Sequence, residues 1–237
     1  MEISVTNRRV TLFSSTSIQF NEDLVKAYVD EFSPKDLVPS VSKGKAIKFT
    51  PKGVTTEDVI SLELKKLDDT FRVVFGVDRI DIESTKTDEV MSDFLSLAKE
   101  IEATLSSKMN LMFVRLALYE SVVFQIDDAQ RNKAYGIFAK NEAYNPVEWQ
   151  FQDVKRSSIS SKHDAAVKVD VNEVYSVRCP ETNGENLLLI DLDINTKVGA
   201  TNEQISAIRD DFWPYASEVI NNAVNKYKAQ LENVVNQ

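Results

Sequence analysis

One short pattern occurs twice in this chain, each time where a strand-like run ends and a helix-like run begins. The first copy is "IDIESTK" (Ile80–Lys86) and the second is "IDLDINTK" (Ile190–Lys197). Both alternate aliphatic and acidic residues, then close on Thr and Lys. Alternation of period two is what a strand with one buried face and one wet face requires. A strands-then-helix unit used twice restricts the fold more tightly than composition can. We read the copies as a pseudo-repeat, with halves at 1–110 and 111–237 integrated into one domain.

Two long helices close the halves. Over about 88–109, Val90, Phe94, Leu97, Ala98, Ile101 and Leu105 recur at the helical period, with Thr87 placed to cap. Over about 202–234 an apolar seam runs from Ile205 and Ile208 through Phe212, Tyr215 and Val219 to Leu231. Thr201 and Gln204 form a capping box there, and Pro214 predicts a kink or break. A shorter helix follows Asn21, its predicted N-cap. Strand-like runs are expected at 9–20, 46–50, 59–67, 70–77, 79–83, 111–126, 134–139, 147–157, 165–178 and 186–195. The long run 111–126 calls for a bulge or break near Glu120–Ser121, and Asn183-Gly184 marks a hairpin. Runs of strands followed by a helix, without strict alternation, predict the α+β class: antiparallel sheets covered on one face.

Composition excludes several functions. No apolar run approaches a membrane span, and "MEISVTNRRV" has no secretory pattern. A single cysteine, Cys179, rules out an intrachain disulfide and suits a reducing cytoplasm. A net charge of −9 makes nucleic acid an unfavourable main partner. Lys43, Lys45, Lys48 and Lys52 form a local basic patch, but lysines near strand ends more often guard an exposed edge. Six glycines form neither a dinucleotide fingerprint nor a P-loop, and His163 is the sole histidine, so no cofactor is expected.

The carboxylates of the repeated pattern are the best candidates for chemistry. Asp191 and Asp193 project from one strand face, as do Asp81 and Glu83, with Asp78 nearby. Such pairs can hold a magnesium ion with substrate phosphates. The clean alternation with Ile190, Leu192 and Ile194 favours a solvated strand face instead, and only convergence of the two pairs in space would revive a metal centre. Ser157, Ser158, Ser160 and Ser161 lie near His163 and Asp164, but sequence proximity does not make a triad. Trp149 and Trp213 are large apolar anchors, expected in the core first and at an interface second.

The segment "FRVVFGVDRIDIES", the helix centred on Phe94 and the following "LMFVRLALYES" with Arg115 resemble a sporadically distributed, uncharacterised family of bacterial hypothetical proteins. That resemblance implies a bacterial setting, often linked to mobile elements or defence, and no catalytic residue. The leading expectation is a non-enzymatic interaction component: an adaptor, a neutralising protein or an accessory subunit that binds another protein. The alternatives are a small-molecule binder with a helix on a sheet, and a metal-dependent phosphate-processing enzyme using the strand carboxylates.

Overall fold

In the computed structural model, residues 3–18, 20–50, 53–139, 146, 148–180 and 187–235 are described. The order is β1 (Ile3–Ser14), α1 (Glu22–Phe32), β2 (Val38–Thr50), β3 (Gly53–Lys65), β4 (Phe71–Phe75), β5 (Arg79–Ser84) and α2 (Met91–Met109), then β6 (Phe113–Gln125), α3 (Asp128–Ala139), β7 (Trp149–Ser160), β8 (Lys168–Cys179), β9 (Leu187–Thr196) and α4 (Asn202–Val235). All nine strands join one antiparallel sheet in the order β2-β3-β4-β5-β1-β6-β9-β8-β7. The expected α+β class is therefore present, as one continuous sheet. No described helix is long and apolar enough to cross a membrane.

The repeat is visible in the topology. Each half runs strand, helix, antiparallel meander, long helix, and the leading strands β1 and β6 pair at the sheet centre. Strand β5 flanks β1 as β9 flanks β6. Thr11 faces Asp81 and Ser121 faces Asp191; Arg9 faces Glu83 and Tyr119 faces Asp193. Every member of the second set lies 110 positions after its counterpart (Asp191 after Asp81, Ser121 after Thr11). Arg9 and Tyr119 also face each other. An approximate two-fold axis through that pair thus relates the four central strands in register. The halves differ in their meanders, four strands (β2–β5) against three (β7–β9).

The core lies between the sheet and the helices. Val10, Leu12, Ile80, Ile82, Leu116, Leu118, Ile190, Leu192 and Ile194 are all 0–1% exposed. All four helices touch this same face. Tyr28 of α1 meets Phe75, Phe94 of α2 meets Phe71, Phe138 of α3 meets Trp149, and Tyr215 of α4 reaches Glu173. The Asn21 cap holds, with Leu24 N donating to its Oδ1 at 2.8 Å. So does the Thr201–Gln204 box, at 2.9 and 3.3 Å.

Several local expectations need correction. The run 134–139 is not a strand but the end of α3, whose start carries a reciprocal cap between Asp127 and Gln130 at 2.7 and 2.9 Å. Helix α2 begins at Met91 after an extended Val90 with no side-chain cap, so Thr87 plays no capping part. Helix α4 runs unbroken through Pro214, where burial of Phe212, Trp213, Ala216 and Ile220 outweighs one lost backbone donor. The bulge opposite Ser121 belongs to β1, between Val5 and Asn7, and β6 stays continuous. Strand β2 starts earlier than expected and contains Pro39, which an outermost strand tolerates. The Asn183-Gly184 hairpin lies outside the described residues.

A candidate interaction face on the sheet

The face of the sheet opposite the helices carries the candidate site. Residues paired across antiparallel strands share a face, so the register defines rows. The central row reads Lys65, Arg72, Glu83, Arg9, Tyr119, Asp193, Val174, Val154. A neighbouring row reads Val74, Asp81, Thr11, Ala117, Asn195, Asn172, Arg156. On the other side come Asn7, Ser121, Asp191, Ser176 and Gln152. Arg79, Phe13 and Arg115 form a further short row, and Arg178 faces Leu189.

Arginine is segregated onto this face. The chain has nine arginines, and six of them (Arg9, Arg72, Arg79, Arg115, Arg156 and Arg178) belong to these rows. The carboxylates between them are closely held. Asp81 accepts from the Thr11 hydroxyl at 2.6 Å and pairs with Arg79 at 2.9 Å. Glu83 accepts from Arg72 Nε at 2.6 Å. Asp191 accepts from Tyr119 and Ser121 at 2.7 Å each, and from Arg178 at 3.1 Å. Burial, with the Asp191 hydrogen bond second, pushes the Tyr119 phenol up to about 12.

The cations are less fully engaged. Arg115 donates to two neutral acceptors, the Thr196 carbonyl and Asn195 Oδ1, while its guanidinium lies 4.6 Å from the Phe13 ring centre. No ion pair of Arg156 is found among the described residues. Arg9 stands on the two-fold axis, 4.9 Å from the Tyr119 ring centre. It reaches Asp81 and Glu83 only at 3.9 and 3.8 Å, too far for hydrogen bonds. Its Nε is shielded and unpartnered, as are Asp193 Oδ1 and Asn7 Oδ1 beside it, while the Arg9 side chain stays 35% exposed.

Other sequence candidates fall elsewhere. Asp81 and Glu83 share a face with Asp191 and Asp193, but β1 and β6 lie between the pairs. Three strand spacings separate them by roughly 14 Å, several times the reach of a single metal ion. Among the described residues no group of acids, His or Cys is placed to hold a metal. Trp213 and Trp149 are 2% and 7% exposed and belong to the core rather than the surface. Lys43, Lys45 and Lys48 lie on β2, the outermost strand, where Lys45 is exposed; Lys52 is outside the described residues. This strand and β3 form a long hairpin that meets β4 only through Glu63–Lys65. Ser157 bonds to Glu173 and Tyr215 rather than His163, and Ser161 caps the turn holding His163. Cys179 is buried, which pushes its thiol up.

A second polar cluster, on the helix side near β7, escaped sequence reading. Glu173 is 1% exposed and accepts from Tyr175 and Tyr215 at 2.6 Å, Ser157 at 2.8 Å and Lys155 at 3.1 Å. Burial alone would raise its carboxyl, but these four donors outweigh it and bring the group down to about 2. Burial and the same carboxylate push the Tyr175 and Tyr215 phenols up. The donors come from β7, β8 and α4, so no local pattern announces them.

No protein-family model matches the chain, and a search of curated proteins found no match.

Proposed function

We propose that the chain is a non-enzymatic interaction component that docks an acidic surface of another protein onto the open sheet face, with Arg9 as the central anchor. The observation that carries this reading is the half-buried Arg9 guanidinium, 4.9 Å from the Tyr119 ring centre at the two-fold axis and without a hydrogen bond. Arginine and tyrosine are the residues most concentrated in the energetic centres of interfaces. A planar guanidinium resting against a ring keeps its fork of donors available for a bidentate bond to a carboxylate. Arg115 and Arg156 add positive charge without a carboxylate partner, on a chain whose net charge is −9. The net charge of −9 opposes binding to a long phosphate backbone more than docking of a local acidic patch, which favours a protein over nucleic acid. The setting we propose for such a component, taken only from the resemblance to bacterial hypothetical proteins, is a defence or regulatory complex.

The test compares wild type with Arg9→Glu and Arg115→Glu in pull-downs from the native host, read by mass spectrometry. Both positions are partly exposed, and circular dichroism melts establish that each variant is folded before capture is compared. An acidic partner should be retained by wild type and lost by Arg9→Glu, with capture weakening as salt rises. A strictly monomeric protein that captures nothing, a partner insensitive to both reversals, or a nucleic acid in its place refutes the reading.

A further inference from the structure

A cleft of about 390 Å³ opens on the helix side of the sheet, between α4 and the strands β7 and β8. Its size suits a small metabolite. Half of its wall is apolar, made by Val219 and Ala223 of α4 and the rings of Tyr175 and Tyr227. Two lysines line it, Lys155 from the sheet wall and Lys226 from the helix wall.

The two lysines differ in a useful way. Lys155 Nζ is fixed by both oxygens of Glu173, at 3.2 and 3.1 Å, yet its side chain is 67% exposed. A lysine has three donors, so one N–H remains for a ligand. Glu173 is held by four donors of its own, which offset its charge before an anion enters. Lys226 is exposed, and no ion pair of its own is found among the described residues. One preset donor and one free one beside an apolar wall recognise an organic acid by its head and its body together. Asp153 and the ionised Glu173 on the walls limit the negative charge the cleft accepts, which favours a monoanion over a phosphate dianion.

We propose that this cleft binds a small monocarboxylic acid with an aromatic or branched apolar body. The carboxylate bridges Lys155 and Lys226, and the body packs on Val219, Ala223 and the tyrosine rings. This site is separate from the open face and stands whether or not that face docks a partner.

The probe is phenylacetate, titrated into the full chain by calorimetry and by two-dimensional NMR. Phenylacetamide serves as the neutral isostere and inorganic phosphate as the head-group control. Phenylacetate should bind saturably with shifts centred on Tyr175 and Tyr227, while both controls bind at least about tenfold more weakly. Lys226→Met should weaken phenylacetate about tenfold or more, as loss of a charge-assisted bond requires, without changing the melting temperature of the free protein. Lys228→Met, on the same helix and paired with Glu232, should leave binding unchanged. Equal binding of acid and amide, preference for phosphate, no saturable response, or an indifferent Lys226→Met variant each overturns the proposal.

Discussion

Glu173→Gln replaces a charged group that is 1% exposed and holds two tyrosines, a serine and a lysine around it. In the unfolded chain this carboxyl titrates near its ordinary 4.5, and in the folded protein near 2. At 1.36 kcal/mol per pH unit, the difference corresponds to about 3 kcal/mol of stability carried by the ionised form at neutral pH. The folded value is depressed, so that stability is complete well above 4.5 and is lost as pH falls toward 2. The glutamine variant imitates the protonated acid and cannot titrate. Its deficit against wild type should therefore be about 3 kcal/mol at pH 7 and narrow by about 1.4 kcal/mol at pH 3.5. Urea unfolding followed by tyrosine and tryptophan fluorescence, run from pH 7 to 3.5, measures both. A deficit below about 1 kcal/mol at pH 7, or one that does not change with pH, would refute the reasoning.

Glu120→Ala leaves Arg8 charged and buried, still donating to the Glu89 carbonyl in the turn before α2; unfolding should cost about 3–5 kcal/mol less by urea titration. The double replacement Arg8→Met with Glu120→Met should recover most of that loss, because no uncompensated charge remains. Glu102 behaves opposite to Glu173: burial raises its carboxyl, with Arg209 only partly offsetting, so stability falls as pH rises above its unfolded value. Glu102→Gln should consequently be more stable than wild type at pH 7, with the gain vanishing near pH 4 in the same titration. Asp127→Ala should cost about 1 kcal/mol, and the loss should appear as faster amide exchange in the first turn of α3.

What the sequence announced follows from how far each signal reaches. The 3.6-residue seam of α4, the caps at Asn21 and Thr201, and the two-residue alternation of β5 and β9 act within a few positions, so they were legible directly. The helix at 128–139 was missed because Tyr135, Gly136 and Ile137 resemble a short strand. Its Asp127–Gln130 cap was present in the sequence and is the signal that would have corrected it. Arg9, Tyr119, Glu173 and Tyr215 went unrecognised because each is unremarkable among its sequence neighbours.

By itself, then, the chain determined its two long helices, most of its strands, its α+β class, its twofold repetition and the sheet face that Asp81, Glu83, Asp191 and Asp193 share. The burial of Asp81 and Glu83 on that face, against the expected solvated strand face, came from tertiary packing. Tertiary structure decided which strands became neighbours. Antiparallel pairing of β1 with β6 put Arg9 on Tyr119 across 110 residues and held the two acid pairs apart. Closure of α4 over β8 brought Tyr215 to Glu173. Local periodicity sets which face a side chain takes. Its companions on that face depend on register between distant strands, which the burial of the whole core selects.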